Sequence, residues 1–147
     1  IRFQWGVTAA QSDLRIASPA TRLGITPAKL GIVYSLFDTK LLVDLVGPAR
    51  ARRILFTGAL HGANDALAIG LIDEIAVDPL TAATALARTI AANAQHSVRA
   101  SKAIIRRILN GQADDDEVTL AMFRDAFTLP DFAEGVAAFQ AKRRPDF

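Results

Sequence analysis

The sequence predicts an α/β segment that gives way to a run of helices. Three observations carry this. A helix, a glycine and a strand follow one another directly over Ala63–Val77. Short strand-like stretches bounded by turn residues precede that unit, and after Leu80 the apolar spacing is helical throughout. At 147 residues, 51% of them apolar, the chain has the length of one ordinary domain and enough apolar mass for a sizeable core.

Asp13–Ala17, "DLRIA", reads as a strand closed by the turn-prone "SPAT". Leu41, Leu42, Leu45 and Val46 recur at helical spacing and predict a helix with one buried face. "GPAR" stops and restarts the chain, with Pro48 suited to a helix's first turn; that helix continues through Ala49–Leu55 to Thr57-Gly58. Ala63–Ile69 is a short helix ended by Gly70, where a left-handed residue is wanted, and "LIDEIAV" follows as a strand.

From Leu80 the stripe Leu80, Ala83, Ala87, Ile90 and Ala94 marks one helix. Val98, Ile105, Ile108 and Leu109, closed by Gly111, mark the next. Asp114 with Glu117 resembles an acidic capping box opening a third helix, which carries Met122, Phe123 and Phe127. A fourth starts behind Pro130 with Phe132, Val136 and Phe139 on one face, and the basic "KRRP" is expected in its last turn. The expected division is therefore residues 1–79 as α/β and 80–147 as helices.

Composition narrows the chemistry. There are no cysteines, so disulfides, thiolate metal sites and a cysteine nucleophile are excluded, and a reducing compartment fits. No apolar run approaches the roughly 20 residues of a membrane-crossing helix. The net charge of +2 says little about partners. His61 and His96 lack a neighbouring acidic or histidine partner at ligand spacing, and Asp114–Asp116 lacks the alternation of a calcium loop, so no metal is expected. Arg106-Arg107 and Lys142–Arg144 lack interleaved aromatics and a larger charge excess, so nucleic acid is not an expected partner, and without a long apolar run neither is a membrane.

Five stretches, taken in order, resemble one family. "DLRIAS", "LGITPAKLGI", "LVGPARARRILFTG", "ANDALAIGLIDEI" and "DFAEGVAAFQAKRRPDF" are similar in order and spacing to the crotonase superfamily of enoyl-CoA hydratases, isomerases and relatives. The resemblance runs from Asp13 to Phe147 and corresponds to the C-terminal half or so of a typical member. It implies a ClpP/crotonase-like β-β-α spiral, here partial over 1–79, followed by C-terminal oligomerisation helices that pack trimers, often paired into hexamers.

The resemblance also implies the chemistry to look for. Members act on acyl-CoA thioesters, and two backbone N–H groups stabilise the charge that develops on the thioester oxygen. One donor belongs to the half not represented here; the other comes from a glycine-rich run ahead of "DLRIA". In this chain "RFQWGVTAAQ" stands there, with Gly6 as its one glycine and at the wrong spacing. Hydratases carry two glutamates as general acid and base. Their places fall on Val7 and Pro27, neither of which can move a proton. The glycine pair that opens the following helix and lines the acyl pocket is replaced by Phe37-Asp38.

Asp38, Tyr34 and Ser35 are therefore the polar candidates along the acyl pocket. Asp38 is weighed against a role as N-cap of a helix starting near Thr39, and Tyr34 against half-buried packing. For the nucleotide end of CoA, the matched positions are Phe123 and Lys142, supplied in the family by a neighbouring subunit; a lysine suits a phosphate as a point charge. Core packing and a solvated helix end are the plainer roles for these two. No cofactor is expected beyond the CoA of the substrate.

The expected function is thus an enoyl-CoA hydratase/isomerase family protein of fatty acid metabolism in the cytoplasm, truncated and weakly active or inactive as it stands. The alternatives are a non-catalytic oligomerising module and a crotonase-fold isomerase using Asp38 as a non-standard acid or base. Family-like sequence is expected to begin sharply at Asp13, as a reading frame broken upstream would produce. Half a spiral leaves strand edges and apolar faces uncovered, so a homo-oligomer or a separately encoded N-terminal half is an expected partner.

Overall fold

The computed structural model describes residues 2–4 and 12–147, with side chains from residue 12 onward. Two compact units follow one another, Ile1–Ala83 and Thr84–Phe147.

The first unit is built on two small sheets. Strand β1 (Arg2–Gln4) runs parallel to β3 (Arg22–Gly24), which pairs antiparallel with β4 (Leu60–Gly62), in the order β1-β3-β4. The register sets Phe3 beside Leu23 and Leu23 beside His61. Strand β2 (Ile16–Ala17) runs parallel to β5 (Glu74–Ile75). The stretch read as a five-residue strand at Asp13–Ala17 thus pairs over two residues only. Its start is held differently: the Arg15 carbonyl accepts from the backbone N–H groups of Asp73 and Glu74, at 2.9 and 3.3 Å. The Asp73 carboxylate in turn accepts from the Arg15 backbone N–H at 2.7 Å and pairs with its guanidinium at 3.1 Å.

Four helices belong with these strands: α1 (Pro27–Leu30), α2 (Leu36–Val46), α3 (Pro48–Thr57) and α4 (Ala63–Ile69). Periodicity found α2, α3 and α4 because each buries one stripe: Leu41, Leu42 and Val46; Ala51 and Ile54; Ala63 and Ala66. Pro48 occupies the first turn of α3 as its fixed φ suggests. At the end of α4, Gly70 adopts φ 84°, and the Leu71 N–H reaches back to the Ala66 carbonyl at 2.8 Å. That turn aims Leu71 and Ile72 into the core formed with Ile25, Leu42, Val46 and Ile54. Strands β3 and β4 and helix α1 are too short for a period to show, and they escape sequence reasoning.

After β5 come four more helices: α5 (Pro79–Ala91), α6 (Gln95–Leu109), α7 (Glu117–Ala126) and α8 (Pro130–Gln140). Helix α5 starts in the first unit and runs into the second. Helix α7 is capped by Asp116 with Thr119, each side chain accepting the other's backbone N–H, and not by Asp114 with Glu117. The shorter Thr119 side chain is itself buried at that turn, so the box forms two residues later than expected. "KRRP" lies beyond the end of α8, not in its last turn. Burial is scarce here. Neither α5 nor α6 has a buried residue, and Thr119 and Ala138 are the buried ones on α7 and α8.

Replacing Ile54 by alanine, at a site only 1% exposed, should cost about 2–5 kcal/mol of stability, read as a lowered urea midpoint.

Candidate functional site

The stretch from Pro27 to Asp38 holds one matched acid–base position and the polar candidates along the acyl pocket. Pro27 opens α1, buried, with its ring in the helix's first turn; its carbonyl accepts from the Ile32 N–H at 3.1 Å. A proline is comfortable there because a first-turn N–H has no helical partner to lose. It offers no proton. Gly31 then turns the chain at φ 67°, and Ile32 and Val33 face outward, Val33 at 94% exposure.

Tyr34 returns to the protein and packs, half-buried, against the core cluster. Ser35 is the N-cap of α2. Its hydroxyl accepts from the Asp38 N–H at 3.1 Å and donates to the Asp38 carboxylate at 2.7 Å. Asp38 is therefore the third residue of the helix, its N–H capped by Ser35 and its carboxylate accepting the Ser35 hydroxyl, and not the N-cap; α2 begins three residues earlier than expected. The sequence signal for this helix start is Ser-x-x-Asp, with the cap on the serine. The structure brings Ser35 and Asp38 together, while Tyr34 is engaged with the core. Val7 and Gly6 lie outside the described residues.

In the second unit, Phe123 is 65% exposed and so is not a core residue. It meets Phe127 edge-to-face with ring centroids 5.2 Å apart, and Phe127 meets Phe132 in the same way at 5.2 Å. This aromatic ladder joins α7 to α8. A groove of about 490 Å³ lies alongside, lined by His96, Leu129, Phe132, Val136, Phe139 and Phe147. The Nε2 atom of His96 is buried there without a hydrogen-bond partner, as is that of His61 in the first unit. Among the described residues, no three of His, Cys, Asp and Glu converge as metal ligands.

Lys142 stands just past α8, exposed, with a left-handed backbone at φ 51°. Beside it Arg143 grips Glu134 with both guanidinium nitrogens, at 2.6 and 2.8 Å. The Asp146 backbone N–H adds a third bond to that carboxylate at 2.8 Å. The Arg143 guanidinium, helped by this N–H, holds the Glu134 carboxyl down at about 2. Sequence reasoning missed the clasp, although a glutamate and an arginine in "DFAEGVAAFQAKRRPDF" were both on view.

The sequence profile of the enoyl-CoA hydratase/isomerase family matches residues 6–147. The chain is 35% identical over 138 residues to the short-chain-enoyl-CoA hydratase of Clostridioides difficile, covering 90% of this chain and 87% of that protein. It is 33% identical over 142 residues to the crotonyl-CoA hydratase of Syntrophomonas wolfei, covering 92% of this chain and 53% of that one. Among solved structures, a Hyphomonas neptunium protein described as a member of the enoyl-CoA hydratase/isomerase family superposes with TM-score 0.87 at 41% identity, over 94% of this chain and 53% of its own.

This chain belongs to the enoyl-CoA hydratase/isomerase family, and its architecture is part of the α/β crotonase fold. It spans about half the length of most of the curated relatives it matches. The family match starts at residue 6, ahead of the edge expected at Asp13, so the family-like sequence has no sharp beginning there. Among the described residues, no helix is long and apolar enough to cross a membrane.

The Glu134 clasp has a defined acid dependence. Its carboxyl is depressed in the folded chain, so its stabilising contribution is complete above the ordinary carboxylate range and fades as pH falls toward about 2. Melting curves of the wild type and Glu134→Gln should differ near neutral pH and converge at the acid end.

Proposed function

We propose that the chain handles acyl-CoA thioesters as a crotonase-family protein whose ordinary acid–base machinery is lacking, leaving it weakly active or inactive in hydration. One observation carries this: Pro27 is buried in a helix's first turn, at the position matched to a catalytic glutamate. The second matched position is Val7. Support on the substrate side comes from the relatives, which include a crotonyl-CoA and a short-chain-enoyl-CoA hydratase. In this reading Phe123 and Lys142 meet the nucleotide end of CoA from a neighbouring copy in a trimer or hexamer. Fatty acid metabolism and a cytoplasmic setting belong to the same proposal, on family grounds alone.

A second reading, a non-catalytic assembly module, is favoured by the outward apolar residues of the helices. Ile105 and Ile108 on α6 are 57% and 60% exposed, and Leu80 on α5 is 77% exposed. Such faces ask to be covered, by another copy or by a polypeptide resembling the N-terminal half of the family fold. A defined trimer or hexamer that binds no CoA would favour this module over the first reading.

With crotonyl-CoA as substrate, loss of the conjugated-enoyl absorbance should be slower than with the Clostridioides difficile relative by about 10²–10⁴-fold for each missing acid–base group. Turnover at the relative's rate would refute the proposal. Asp38→Ala should leave any residual isomerase or hydratase rate unchanged and lower stability by about 0.3–1 kcal/mol, the worth of a first-turn carboxylate at a helix N-terminus, since the Ser35 cap remains. A rate that collapses while the melting point holds would instead make Asp38 the acid or base.

A further inference from the structure

At the ends of α1, α3 and α4 the chain turns left-handed on glycine, at φ 67°, 54° and 84°. Glycine fits because a Cβ in that conformation crowds the neighbouring carbonyl. Just beyond α8 the same turn is made by Lys142, the one non-glycine residue with positive φ among the described residues. A lysine there is under backbone strain, and something must hold it.

The holding contacts lie on either side of it. The Lys142 N–H bonds the Phe139 carbonyl at 3.2 Å, and the Arg143 N–H reaches the Ala138 carbonyl at 3.0 Å. Those two backbone bonds are the pair that closes a helix on a left-handed residue, and they favour the turn wherever the end is held against fraying. The side chain of Arg143 holds that end: its two-pronged bond to Glu134 ties the chain back along α8 immediately after Lys142. The Asp146 N–H bond to the same carboxylate, and the Phe147 ring lying against Gly135, extend the doubled-back course to the last residue. Lys142 is left exposed at the apex, and its ammonium makes no ion pair among the described residues.

We propose that Glu134 is a positioning residue: by clasping Arg143 it holds Lys142 in its left-handed turn, so that the ammonium is presented at a fixed point to a phosphate of CoA. This rests on the reading of Lys142 as a CoA contact. The strain at Lys142 is then the cost of keeping a cation, where glycine would be more stable but could make no such contact.

The test is titration of CoA into the full chain, followed by calorimetry, together with thermal melts. Lys142→Ala should weaken CoA about three- to tenfold. Glu134→Gln should weaken it similarly in the wild-type background but by less than about twofold when Lys142→Ala is already present. Glu134→Asp, which keeps a carboxylate, should recover part of the affinity. Lys142→Gly should raise the melting midpoint by about 2–4 °C through relief of strain while also weakening CoA. Absence of CoA binding by the unaltered chain, or equal affinity for Lys142→Ala, overturns the CoA reading and the inference with it. A weakened Lys142→Ala beside an unaffected Glu134→Gln, or a Glu134→Gln effect equal in both backgrounds, overturns the positioning role alone. A lower midpoint for Lys142→Gly removes the strain on which that role depends.

Discussion

Ile25, Leu42, Ile54 and Leu71 come from a strand end, two helices and the turn after a third, and all four are within 2% of complete burial. Their joint burial is what turns five very short strands and four short helices into a folded unit. Among the described residues no sheet exceeds three strands, and a two-residue pairing such as β2 with β5 has almost no stability of its own. Apolar contact therefore supplies what the ladders cannot. The left-handed turn at Gly70 matters for the same reason, since it redirects Leu71 inward within two residues of the end of α4.

The helical unit follows the opposite rule. Its helices are strongly amphipathic in sequence, yet α5 and α6 keep no residue fully buried. Local interactions hold their ends instead: the Asp116–Thr119 box at the start of α7, the phenylalanine ladder between α7 and α8, and the Glu134–Arg143 clasp after α8. An exposed apolar face has little reason to persist in a protein that works alone, and this is the physical basis for expecting a covering partner.

Between the two units the chemistry divides as well. Along Pro27–Asp38, polar groups that could have served a substrate are committed to local structure: Ser35 and Asp38 satisfy each other at the start of α2, and Tyr34 packs on the core. The bond from the Ser35 hydroxyl commits the carboxylate of Asp38 to a helix start. At the C-terminus a carboxylate and a guanidinium are spent on each other, while Lys142 beside them stays exposed.

The sequence by itself determined the family, the α/β-then-helix order and most helix faces. Periodicity at 3.6 residues is carried by the side chains themselves, and ordered motifs survive without knowledge of contacts. It also showed that Val7 and Pro27 cannot transfer protons, because residue identity alone excludes that. Tertiary structure decided the rest. Strands of two or three residues have no period to read, so β3, β4 and the short pairing of β2 exist only through their partners. Whether Asp38 was cap or third residue, whether Phe123 was core or surface, and how Glu134 reaches across nine positions to Arg143 depended on which groups folding brings within hydrogen-bonding or packing distance. Spacing along a chain records neighbours on one element; it does not record the turn that folds a terminus back on its own helix.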